Sequence, residues 1–145
     1  MTARTANLGF PRIGAHRELK RALEAYWAGK SSLDELNDTA RAVRRANWEL
    51  QRDVGIDFIP SNDFSFYDQV LDTAVMLGAV PSRFGHAGGP VGPDTYFAMA
   101  RGTKDAKAME MTKWFDTNYH YIVPEFERGR SFGLGSTKVI DEFLE

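Results

Sequence analysis

Short apolar segments alternate with amphipathic helical stretches along this chain, and glycine or proline stands at nearly every change from one to the other. That alternation constrains the fold more than any other feature, because strands separated by helices pack best as a parallel sheet with helices on its faces. Thr5–Leu8, Ile56–Pro60, Met111–Phe115 and Tyr119–Val123 have strand character, the last two as separate strands or as one bent strand. Arg17–Ala28 has helical spacing through Leu19, Ala22, Leu23, Tyr26 and Trp27 and ends at Gly29. Ser32 and Glu35 form a capping box for a long helix to about Val54, with Leu36, Ala40, Val43, Leu50 and Val54 as its stripe. Tyr67–Leu77 is helical through Val70, Leu71, Ala74 and Val75. Asp94 is placed to cap a helix through Arg101, and Ser136 or Thr137 to start a last one with Val139, Ile140, Phe143 and Leu144 apolar. Residues 81–93 hold four glycines and three prolines and are expected to be loop. The fold class expected is α/β.

Composition narrows the function. The 145 residues suffice for one ordinary domain, and a hydrophobic fraction of 43% with 26% charge is that of a globular chain. A net charge of −2 argues against nucleic-acid or anionic-membrane partners, and no apolar run reaches the ~18 residues of a membrane span. The charge is uneven: residues 1–52 carry ten Lys/Arg against six Asp/Glu, whereas residues 53–100 carry one Arg against six Asp. The start lacks the apolar core of a secretory signal, so a cytoplasmic setting is expected. With no cysteine, the chain can form no disulfide and offers no thiolate to a metal. His16, His86 and His120 are too scattered for a metal-ligand pattern.

The basic part includes the most informative segment, Asn7 to Lys20 (NLGFPRIGAHRELK). A Gly/Pro loop leading into a helix N-terminus offers N–H groups and a favourable dipole to an anion. Arg17 and Lys20 add a planar fork and a point charge. A tight turn followed by a solvated basic face explains the same residues, and local chemistry alone favours it. Against it, two cations in a first helical turn oppose the dipole, which a nearby carboxylate would relieve. The segment Met109–Tyr121 is dense in aromatic and polar side chains; Lys113 there is either an anion contact at a strand end or a lysine lying over an aromatic core. Ser61, Asn62 and Asp63 follow a strand end, where α/β sites form, though Asp63 is expected to cap the next helix. No pair of carboxylates stands out for acid/base work, and no catalytic residue is assigned.

Five blocks together resemble the N-terminal part of the cobalamin-independent methionine synthases. They are Asn7–Gly14 with Arg17–Lys20, then Tyr26–Gly29, Gly55–Asp57, Asp63–Asp68 with Val70–Thr73, and Met111–Tyr121 with Val123–Phe126. The resemblance implies a methyltransferase that moves a methyl group from 5-methyltetrahydrofolate polyglutamate to homocysteine, built as two (βα)8 barrels. It implies that Arg17, Glu18, Leu19 and Lys20 belong to a folate-tail segment and that Lys113 is a further folate contact, with Glu18 and Leu19 acting through backbone or position. It also implies a catalytic zinc, and no cobalamin, in a C-terminal barrel whose cysteine ligands this chain does not have. A barrel takes ~250 residues, so residues 1–145 are expected to form the first part of the N-terminal barrel, a fragment without catalysis of its own. Two other readings stay open: a free-standing folate or anion-binding module, and a piece that needs a complementary chain to fold. An incomplete barrel is expected to self-associate through its exposed edges.

Overall fold

The computed structural model describes residues 3–145, which separate into two units at the Phe66–Tyr67 junction. The first unit is built on two helices, α1 (Glu18–Trp27) and α2 (Leu33–Asp53), packed against each other. Local sequence explains both. Leu19 and Leu23 recur one turn apart and are the buried residues of α1. The capping box of α2 is present in full: Ser32 Oγ accepts from Glu35 N, and Glu35 Oε2 accepts from Ser32 N at 2.7 Å. Leu36, Ala40 and Val43 are buried, whereas Leu50 and Val54, further along the expected stripe, are 51% and 69% exposed. The reason is length. At 1.5 Å per residue α2 runs about 31 Å and α1 about 15 Å, so the end of α2 outlasts its partner.

The expected parallel sheet is reduced to one bridge among the described residues, Ala6 with Phe58. Side chains have taken over the ladder's donors and acceptors. Thr5 N donates to Asp57 Oδ2 at 2.7 Å, and Asp57 N donates to Thr5 Oγ1 at 3.0 Å. Around this bridge Trp48 Nε1 donates to Pro60 O, and the Arg44 guanidinium lies 4.9 Å from the centre of the buried Phe64 ring.

The second unit holds α3 (Gln69–Met76), a 3₁₀ turn at Ser82–Phe84, α4 (Pro93–Arg101), the strands β1 (Met111–Lys113) and β2 (His120–Ile122), and α5 (Lys138–Leu144). The strands pair antiparallel, with Lys113 opposite His120, which corrects the parallel expectation for this segment. Their connection is short, and a parallel pair would need a crossover of a dozen residues or more. A second correction concerns the cap of α3. It is Asp68, whose Oδ1 accepts from Leu71 N at 2.9 Å, not Asp63, because the helix begins at Gln69. The other oxygen of Asp68 accepts from Ile122 N at 3.0 Å, so one buried carboxylate starts α3 and holds β2 to it. Gly135 lies against the end of α3, its N–H on Met76 O at 2.9 Å, so close that a Cβ would run into Val75 O. Polar groups also fix α5: Lys138 Nζ sits 3.0 Å from Glu142 and 3.5 Å from Asp72, and the Tyr96 hydroxyl donates to Asp72 at 2.6 Å. Among the described residues no helix is long and apolar enough to cross a membrane.

Candidate functional site

The loop from Asn7 to His16 is tied down from three directions within the first unit. Phe10 N donates to Asp63 Oδ2 at 2.6 Å, and Asn47 Nδ2 on α2 donates to Pro11 O at 3.2 Å. Asn7 Nδ2 donates to Gln51 Oε1 at 2.6 Å, while Gln51 Nε2 donates to Asn47 O one turn back. Asp63, Asn47 and Gln51 were not separated by sequence reading as parts of this segment. The available signal was Asn47 and Gln51 themselves, two amides one turn apart in a helix otherwise rich in charge.

The loop delivers four of the five expected site residues to the start of α1. Arg17 is the residue before the helix and adopts a left-handed backbone, φ 62° and ψ 37°. A non-glycine residue there costs about 1–2 kcal/mol. Its N–H on Gly14 O at 3.1 Å, and its carbonyl under Arg21 N at 3.2 Å, hold it in place. Its guanidinium is exposed and makes no ion pair among the described residues. Lys20 is exposed too, 3.5 Å from Glu24 one turn on. Leu19 is 1% exposed, so its side chain belongs to the core and its N–H is taken by Ile13 O.

Glu18 folds back over the loop. Its Oε2 accepts from His16 N at 2.9 Å, and a Cβ on Gly14 would collide with the carboxylate. Its own backbone N–H and that of His16 hold the carboxyl below the ordinary value of 4.5. The carboxylate that relieves the basic helix start is therefore internal. A groove of about 480 Å3 runs beside it, between Phe10–Ala15 and α2, with Val43, Ala46 and Leu50 on its far wall and Glu18 on its near one. Apolar walls and a resident anion suit a hydrocarbon or ring, not a string of carboxylates.

Lys113, the fifth residue, ends β1 in the second unit and is exposed. Beyond it the chain turns through Phe115 at φ 49°, and Trp114 N donates to Tyr119 O at 2.8 Å. Trp114 stacks edge-on against Phe115 and Tyr121 at 5.3 and 5.4 Å, with Trp114, Phe115 and Tyr119 all substantially exposed. The hairpin thus presents a cation beside exposed aromatic faces, surfaces that take a flat ring by stacking.

The model of the family described as "Cobalamin-independent synthase, N-terminal domain" matches residues 4–145. The chain belongs to that family. It is 59% identical, over 99% of its length, to the 5-methyltetrahydropteroyltriglutamate–homocysteine methyltransferase of Salinibacter ruber. Against the proteins of the same description from Nitrosomonas europaea and Caulobacter vibrioides the identities are 60% and 54%, over 98% and 100% of this chain. It spans about a fifth of the length of these relatives (20%, 19% and 21%). For a member of this family the donor set here does not suit zinc. The chain has no cysteine, and among the described residues no three His, Asp or Glu side chains cluster as ligands. No chemical step in this chain is assigned to a metal.

Proposed function

We propose that this chain is the part of a cobalamin-independent methionine synthase that grips the polyglutamate tail of 5-methyltetrahydrofolate. Methyl transfer to homocysteine, and the zinc that would activate its thiol, belong on this reading to residues outside the chain. The relatives' descriptions name both substrates, a triglutamyl folate and homocysteine. The observation that carries the reading is Arg17, an exposed guanidinium with no ion pair among the described residues, fixed in a strained conformation at the start of α1. Lys20 adds a second cation on the next turn, and Lys113 is a further folate contact beside its aromatic neighbours. Glu18 and Leu19 set the loop and the helix rather than supply charge. A contact of a charged pair is worth about 1–3 kcal/mol when shielded and less when exposed.

The parallel bridge Ala6–Phe58, formed across α1 and α2, supports reading residues 1–145 as the opening of a (βα)8 barrel. The test is made in the complete enzyme. Arg17→Gln, Lys20→Gln and Lys113→Gln are each expected to raise KM for triglutamyl methyltetrahydrofolate by about 3–30-fold and to raise it less for the monoglutamate. Equal losses for the two donors would remove the tail from the assignment. The isolated chain is expected to show no homocysteine methylation with zinc added, and turnover there would overturn the division of labour.

A further inference from the structure

Lys113 has a partner across the hairpin. In the register of β1 and β2 it stands directly opposite His120. Trp114 N donates to Tyr119 O and Val123 N donates to Glu110 O, both at 2.8 Å, so Trp114 with Tyr119 and Glu110 with Val123 are hydrogen-bonded pairs. Antiparallel pairs alternate, which puts Lys113 and His120 in the other set. In that set the Cα atoms lie about 4.5 Å apart and the side chains come closest. Both side chains therefore leave the same face of the hairpin side by side. Ile122 shares that face two residues on and is 1% exposed, whereas Lys113 and His120 are exposed, so the pair stands at the rim where the hairpin leaves the core.

The backbone sets the tautomer of His120. Its Nδ1 lies 3.0 Å from Asn118 O. A carbonyl only accepts, so Nδ1 carries the proton; Nε2 is then an acceptor in the neutral ring and a donor in the charged one. Charging the ring sets two cations opposite each other, which is unfavourable without a counter-ion. Among the described residues neither side chain has an acidic partner, and Asp116 in the turn between them makes no ion pair. On α3, which packs against β2, Asp72 is engaged by the Tyr96 hydroxyl and Lys138, and the cap Asp68 by Leu71 N and Ile122 N. The counter-ion has to come with a ligand.

We propose that Lys113 and His120 together hold one carboxylate of the folate tail, and that His120 Nε2 takes a proton from solvent as the carboxylate binds. This rests on the reading of Lys113 as a folate contact and adds to it a second residue and a proton. Linkage fixes the sign: binding that takes up a proton weakens as pH rises through the histidine range. The complete enzyme is assayed from about pH 5.5 to 8.5 at constant ionic strength. At each pH the KM for triglutamyl methyltetrahydrofolate is divided by that for the monoglutamate, which cancels titrations common to the two donors. The ratio is expected to rise about two- to fivefold with pH. His120→Gln is expected to hold it near the high-pH value throughout, and His120→Arg, a cation at every pH, near the low-pH value. Calorimetry of triglutamyl donor binding near neutral pH, in two buffers of different ionisation enthalpy, is expected to show proton uptake by the unaltered enzyme and less by either variant. A ratio that rises as steeply in His120→Gln as in the unaltered enzyme, or no proton uptake by the latter, would overturn the pairing and leave Lys113 in place. A ratio unmoved by Lys113→Gln would overturn both the pairing and the reading beneath it.

Discussion

Arg17 separates stability from binding at a single position. Its left-handed backbone costs about 1–2 kcal/mol, and glycine adopts that conformation freely while adding freedom to the unfolded chain. Arg17→Gly is therefore expected to leave the urea midpoint of the domain within the equivalent of about 1 kcal/mol and still to lose triglutamate affinity in the complete enzyme. Asp63 behaves oppositely. It receives Phe10 N, and Asp63→Ala is expected to cost about 1–2 kcal/mol and to speed hydrogen exchange at the Phe10 amide. Acid sensitivity is also a matter of residues. Arg83 holds the Glu125 carboxyl, and the N–H and hydroxyl of Ser82 hold that of Glu127, below the ordinary value of 4.5. A carboxyl lowered on folding stabilises fully above its ordinary value and loses that contribution as pH falls through the lowered one. Asp68 works the other way. Burial pushes its carboxyl up, against backbone donors, so its ionisation costs stability as pH rises through the raised range. Denaturant midpoints are expected to fall below pH 4.5 and to fall less in a Glu125→Gln, Glu127→Gln variant, with Asp68→Asn as the control for the opposing group.

At the scale of elements, what depends on neighbours in sequence was legible and what depends on distant partners was not. The capping box at Ser32, the Leu19/Leu23 spacing of α1 and the loop at residues 81–93 are local, and the observed elements start and stop within a few residues of expectation. Ile56–Pro60 has the composition of a strand, but only Phe58 pairs, because Asp57 meets Thr5 through side chains fifty-two positions away. Asp63 has the type and place of a helix cap and serves a loop instead, and nothing local distinguishes it from Asp68. The basic character of the candidate site was legible in Arg17 and Lys20; the turn of the Glu18 carboxylate onto His16 N was not, since that partner is set by how the loop folds back. Gly135 makes the same point from packing. Its sequence context marks a turn, whereas its environment leaves no room for a methyl group beside Val75 O. Gly135→Ala is expected to cost about 1–3 kcal/mol of stability by urea denaturation, the usual penalty for overpacking.

For the whole molecule, the exposed apolar side chains of the second unit matter most. Phe126, Phe132, Leu134, Ile140, Phe143 and Leu144 are between 57% and 75% exposed, and the relatives are about five times as long as this chain. Large apolar groups on a surface associate. Sedimentation equilibrium is expected to give a concentration-dependent mass for the 145-residue chain, and Phe143→Lys with Leu144→Lys to bring it toward the monomer. Each unit is also closed by a link of similar reach, Thr5 with Asp57 across 52 positions and Asp68 with Ile122 across 54. The entropy of closing a loop changes little between those lengths, so neither closure is much costlier than the other. Their order is decided by synthesis. On the ribosome both partners of the first link are translated before Tyr67, and because the first unit leaves the exit tunnel ahead of the second it can close while Ile122 is still unmade.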